Sequence, residues 1–203
     1  MSRHVQHIWA LNPDLLRFLP PEKSSFLPYT VYRWEDLPHC PVDFNKTRLK
    51  IAHAPTDRGA KGTEFILQAL NALAKQYPEQ VEIKLIEKVT HEQCLKLLED
   101  VDLVVDQILI GWYGALGVEA MKMGKPTIAR IAEEDLKYLP ESMANEVQDA
   151  VIQAEPKNVY EVLKRCLDDR KFLRQKAEAG RDYVNRWHDP LYVAGLTQKE
   201  YAS

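Results

Sequence analysis

Two segments of this 203-residue chain carry residue types suited to binding a phosphorylated ligand. The first, Ala54-Pro-Thr-Asp-Arg-Gly-Ala-Lys-Gly-Thr63, sets Arg58, Lys61 and Gly62 between an apolar run and a helical pattern. Unpaired N–H groups give a helix N-terminus roughly half a positive charge, and a lysine one turn away adds a full one. The segment lacks the Gly-x4-Gly-Lys-Ser/Thr of a Walker A loop. Taken alone, it is more simply a polar loop with solvated charges. The second segment, Asp106-Gln-Ile-Leu-Ile-Gly-Trp-Tyr-Gly114, leads into Ala115-Leu-Gly-Val-Glu-Ala-Met. Gly111 and Gly114 let backbone approach a ligand closely. Glu119 interrupts an otherwise apolar helix, where a carboxylate is costly to bury without a partner. Ribose hydroxyls are one such partner; solvent or a nearby lysine is the more ordinary one.

Other reactive side chains are isolated. His53 ends an apolar run and reads first as a hydrogen-bonded structural histidine, with a catalytic role as the alternative. His188 falls in the helix-breaking Trp187-His188-Asp189-Pro190. Glu133, Glu134 and Asp135 read as a solvated helix cap. No Ser/His/Asp set, His-Glu-x-x-His or metal-ligand spacing occurs, so no metal site is expected.

The elements that must position these segments alternate. Apolar strands are expected at 49–54, 81–86, 101–105 and 126–131, with a short one at 150–154. Helices are expected at 63–77, 91–98, 114–123 and 158–166, and one or two within 170–187. Short apolar strands separated by helices give an α/β fold, a Rossmann-like parallel sheet with helices on both faces. In such sheets ligands sit beyond the carboxyl ends of the strands, which points to the turns 54–63, 87–91 and 106–114. Upstream, residues 5–10 read as a strand and Asn12-Pro13-Asp14 as the start of a short helix. The stretch 20–43, with Pro20, Pro21, Pro28, Pro38 and Pro41, reads as a linker or an irregular wrapping segment without regular structure, whose aromatics Phe26, Tyr29, Tyr32 and Trp34 suggest that it packs on something.

Composition narrows the function classes. Lys plus Arg is 27 against 30 Asp plus Glu, which disfavours nucleic acid held through its phosphates. The longest apolar run, Ile108–Val118, is short of the roughly 18 residues that span a bilayer, so no transmembrane segment is expected. Cys40, Cys94 and Cys166 lack Cys-x-x-Cys spacing and read as free thiols in a reducing compartment, the cytoplasm.

The order strand, Lys61-Gly62 helix, strand, helix, Val101-Asp-Leu-Val-Val105, then Gly111-x-x-Gly114-x4-Glu119-Ala-Met-x-x-Gly-Lys-Pro126 resembles a known family. It is similar to the C-terminal, nucleotide-sugar-binding domain of group 1 (retaining) GT-B glycosyltransferases, over about residues 49–190. The resemblance implies that Glu119 holds the donor ribose and Lys61 contacts the diphosphate. Gly114 would face that diphosphate from the helix start, with Tyr113, Ala115 and Leu116 adding backbone N–H groups. The usual first glutamate is Gly111 here, and Thr56 stands at the usual arginine, leaving Arg58 as a displaced substitute. Glu87-Lys88 replaces the usual glycine after the 81–86 strand.

The domain organisation so implied is a remnant of an N-terminal domain with a Pro-rich linker at 1–44 and a nucleotide-sugar-binding domain at 45–190. Residues 191–203 would be a helix or tail crossing back to an N-terminal domain. Two functional readings follow. One is a hexosyltransferase-type donor domain, with a nucleotide-diphosphate sugar as substrate, no cofactor, and a sugar or glycan hydroxyl as acceptor. The other is a non-catalytic nucleotide-sugar-binding or assembly module completed by a homodimer partner or a separate N-terminal domain.

Overall fold

The computed structural model describes residues 5–201. Its centre is a five-stranded, wholly parallel sheet in the order β4-β3-β5-β6-β7. The strands are β3 (Leu49–His53), β4 (Val81–Leu85), β5 (Leu103–Val105), β6 (Thr127–Ala129) and β7 (Ile152–Gln153). From β3 the chain moves outward to β4, then returns to the other side of β3 for β5. The carboxyl ends of β3 and β5 therefore flank the point where the strand order reverses, the usual ligand crevice of such sheets.

Strand alternation sorts the core into two layers. Ile51, Leu103, Val105 and Ile128 face α2 (Thr63–Gln76) and α6 (Val159–Asp168). Ala52 and Val104 face Leu98 of α3 (His91–Glu99) and Leu116 and Ala120 of α4 (Ala115–Lys122). A one-residue register slip would exchange these faces, so the double burial fixes the sheet. The long α7 (Arg170–Trp187) packs on α5 (Glu141–Ala150) and α4, and α8 (Pro190–Tyr201) follows it.

Local chemistry accounts for the helix starts near the cleft. The Asp57 side chain accepts from Ala60 N at 2.8 Å, starting the single turn α1 (Arg58–Lys61). Gly62, at φ +76°, then turns the chain into α2; a Cβ there would come within 3.0 Å of Ile108 and Leu109. Thr90 and Gln93 form a reciprocal capping box that starts α3 at His91.

The structure departs from the sequence expectations in three places. Within 20–43, Ser24–Phe26 is a strand (β2) paired in parallel with β1 (Ile8–Ala10). Its Ser-Ser-Phe pattern carries no periodicity, and pairing with β1 makes it a strand. Helix α5 was not among the expected helices, because only Met143, Val147 and Ala150 mark its buried face. Asp135 is buried, not solvated: Arg17 grips it through Nε at 2.5 Å and Nη2 at 2.6 Å.

The N-terminal residues pack against the sheet domain. Ala10, Leu16, Phe26 and Trp34 share a cluster with Trp112, Tyr113, Met143 and Trp187. A buried polar chain crosses the same boundary. The Tyr183 hydroxyl donates to that of Tyr113 at 2.7 Å, which donates to His188 Nε2 at 2.8 Å. His188 Nδ1 in turn donates to the Tyr29 carbonyl at 2.6 Å. Burial pushes the His188 pKa down to about 4, so the ring is neutral and this direction of donation is the one it permits. Among the described residues, no helix is long and apolar enough to cross a membrane.

Candidate functional site

A cleft of about 570 Å³ opens at the carboxyl ends of β3, β4 and β5. Such a volume suits a small organic ligand. Its walls come from the loop after β3 (Ala54, Pro55, Thr56), Lys61, the loop after β4 (Ile86–Thr90), the start of α3, and the first turns of α4.

Of the residues singled out from the sequence, Lys61, Gly114, Ala115, Leu116 and Glu119 line this cleft together. Gly62 lies behind Lys61 as the turn between helices. Gly111 sits against Ala132, whose Cβ would be 2.7 Å from any Cβ at 111. Tyr113 directs its ring inward to the His188 chain, and its carbonyl accepts from the Tyr29 hydroxyl at 3.1 Å. Arg58 is not among the lining residues; Glu87 and Glu64 each hold it at 2.8 Å. His53 is fully buried, its Nδ1 donating to Val105 O at 2.8 Å and its Nε2 accepting from Thr63 Oγ1 at 2.9 Å. That is the structural histidine.

Three partners had no role assigned from the sequence. Asp106, at the end of β5, has no exposed surface and places Oδ1 2.5 Å from Lys61 Nζ. Its Oδ2 accepts from Gly114 N at 2.5 Å, so one carboxylate joins the lysine to the start of α4. Gln107 donates to the Trp112 carbonyl and shapes the loop between them. His91 donates from Nε2 to Glu119 Oε1 at 2.7 Å. Desolvation pushes the Glu119 carboxyl above its ordinary range, and the His91 contact pulls it part of the way back.

Lys88, on the cleft rim, has φ +57°, a left-handed conformation that costs a side-chain-bearing residue roughly 1–2 kcal/mol. Lys88→Gly is therefore expected to raise the unfolding free energy by about 1 kcal/mol. A urea melt checks this; an unchanged or lowered midpoint contradicts it.

No family model and no curated protein matches the sequence. Solved structures do. HepE (Alr3699) of Anabaena, in complex with UDP-glucose, aligns with 100% of this chain at TM-score 0.68 and 14% identity. Sucrose-phosphate synthase (tll1590) of Thermosynechococcus elongatus aligns with 96% at TM-score 0.62 and 17% identity. WaaG, a glycosyltransferase involved in lipopolysaccharide biosynthesis, aligns with 91% at TM-score 0.57 and 16% identity. The chain spans 65%, 57% and 58% of those chains respectively. At such identities the likeness is one of fold: a parallel α/β sheet matching the Rossmann-like half of GT-B glycosyltransferases.

Proposed function

We propose that the cleft binds a nucleoside-diphosphate sugar and that the chain is the donor-binding part of a GT-B glycosyltransferase. The observation that carries this is the convergence of Lys61, the N-terminus of α4 and the buried carboxylate of Glu119 on one cleft. Glu119 takes the ribose hydroxyls, exchanging its His91 partner for them. Lys61 and the N–H groups at the start of α4 face the diphosphate. In the reaction, the bond from the sugar's anomeric carbon to the diphosphate breaks. A bond from that carbon to an acceptor hydroxyl oxygen forms, and the hydroxyl proton passes to the departing diphosphate. Charge builds on the departing diphosphate, where a lysine and a helix N-terminus are most useful. Uridine is the first base to test, because HepE was solved with UDP-glucose.

In this reading residues 45–190 form the nucleotide-sugar unit. Residues 1–44 and 191–203 belong to the junction with an acceptor-binding domain, and three unpaired thiols suit the cytoplasm. The assembly-module alternative is favoured by one observation. Phe18 and Leu191 are each 84% exposed, apolar side chains that a homodimer partner or separate domain would cover.

Calorimetric titration with UDP tests the proposal. Glu119→Ala is expected to weaken binding by about 1–3 kcal/mol, the loss of hydrogen bonds to a buried polar partner. No heat with UDP, GDP or their sugars removes the donor-site assignment. Binding without transfer to any acceptor favours the module reading.

A further inference from the structure

The two strongest anion-binding groups of the cleft already face an anion belonging to the chain. Asp106, fully buried, takes a proton-bearing corner of Lys61 on one oxygen and the Gly114 N–H on the other. Gly117 leaves room for it, since a Cβ there would lie 3.0 Å from Asp106 Oδ2. The carboxylate thus lies buried behind the cleft wall, bonded to the lysine and the N-cap of α4 that would otherwise act on a ligand's phosphate alone. What remains for a ligand is the rest of the Lys61 ammonium, the N–H groups of Ala115 and Leu116, and Lys88 on the rim, opposed by Glu119, while Glu87 is paired with Arg58.

Such a balance distinguishes ligands by charge. A nucleoside diphosphate esterified to a sugar carries two negative charges. The free nucleoside diphosphate ends in a monoester whose second ionisation falls near pH 6, so at neutral pH it carries about one more. That extra charge is on the terminal phosphate, the group released from the sugar. We infer that Asp106 makes the cleft prefer the sugar-esterified diphosphate over the free diphosphate, favouring departure of the spent nucleotide. The inference rests on the donor-site reading above. Asp106 acts through Lys61 and α4, as a positioning and discriminating residue.

The test compares UDP with its β-methyl ester, which has one charge fewer and no sugar, by calorimetry at pH 7.5 on the full chain and Asp106→Asn. The native chain is expected to bind the ester at least as tightly as UDP. The variant should bind UDP about tenfold tighter than the native chain does, and gain less for the ester. A purely structural role would weaken both ligands together and leave their ratio unchanged. That result, in a variant that still unfolds cooperatively, overturns the inference. Should Asp106→Asn fail to fold, the native comparison decides: tighter binding of UDP than of the ester overturns it. If the native chain binds neither compound, the donor-site reading falls and this inference with it. Binding with an unshifted ratio removes the inference alone.

Discussion

Replacing Lys61 by methionine is expected to cost about 3–5 kcal/mol of unfolding free energy and to abolish nucleotide binding. The size follows from what the substitution leaves behind. Asp106 is fully buried and keeps only the Gly114 N–H, at 2.5 Å, once the ammonium at 2.5 Å is gone. Removing one partner of a buried pair strands the other charge, and that penalty is far larger than the net worth of the pair. Methionine keeps most of the lysine stem's volume, so the loss reports charge and not packing. The companion variant Lys61→Met/Asp106→Asn separates the two, because a neutral amide still accepts from Gly114 N. We expect it to recover about 2 kcal/mol or more of the loss, a coupling of the kind contacting charges show. Urea unfolding of the four members of the cycle measures this, and additive losses would refute the coupling.

The same pair shows how far the sequence leads and where it stops. Lys61, Gly114 and Glu119 could be picked out because their logic is local: a helix start, a glycine, a carboxylate on an apolar helix face. The pairings of Asp106 with Lys61 and of His91 with Glu119 could not, because the partners lie 45 and 28 residues apart and no spacing rule connects them. Arg58 illustrates the converse. Its type marked it as an anion ligand, while Glu64 and Glu87 hold its guanidinium outside the cleft lining. The β3–α4 alternation was legible because Ile51/Ala52 and Val104/Val105 are buried on both sheet faces. Helix α5 was not, because three buried apolar residues in ten give a weak pattern until α7 supplies the surface they bury against. Tyr113 combined both cases. Its place beside Gly114 was legible, but its hydroxyl belongs to a chain reaching Tyr29, far away in sequence.

That chain sets the second large effect, a loss of stability in acid. His188 is neutral in the folded protein with its pKa pushed down to about 4 by burial, against 6.5 for an ordinary histidine. Above pH 6.5 both folded and unfolded chains hold the ring neutral, and this contribution is fully present. Between pH 6.5 and 4 the unfolded chain binds a proton that the folded one refuses, so stability falls with pH. Across that window the loss amounts to about 3 kcal/mol. His53, also held low by burial, adds to the slope in the same direction. Glu119 opposes it, since a carboxyl pushed up by desolvation makes the folded state the better proton acceptor above the ordinary carboxylate range. The His188 share is isolated by His188→Gln, whose amide can donate to the Tyr29 carbonyl and accept from the Tyr113 hydroxyl without titrating. Urea midpoints from pH 7.5 down to 4.5 should fall steeply for the native chain and much less for the variant. Parallel curves would show that this ring does not govern the acid transition.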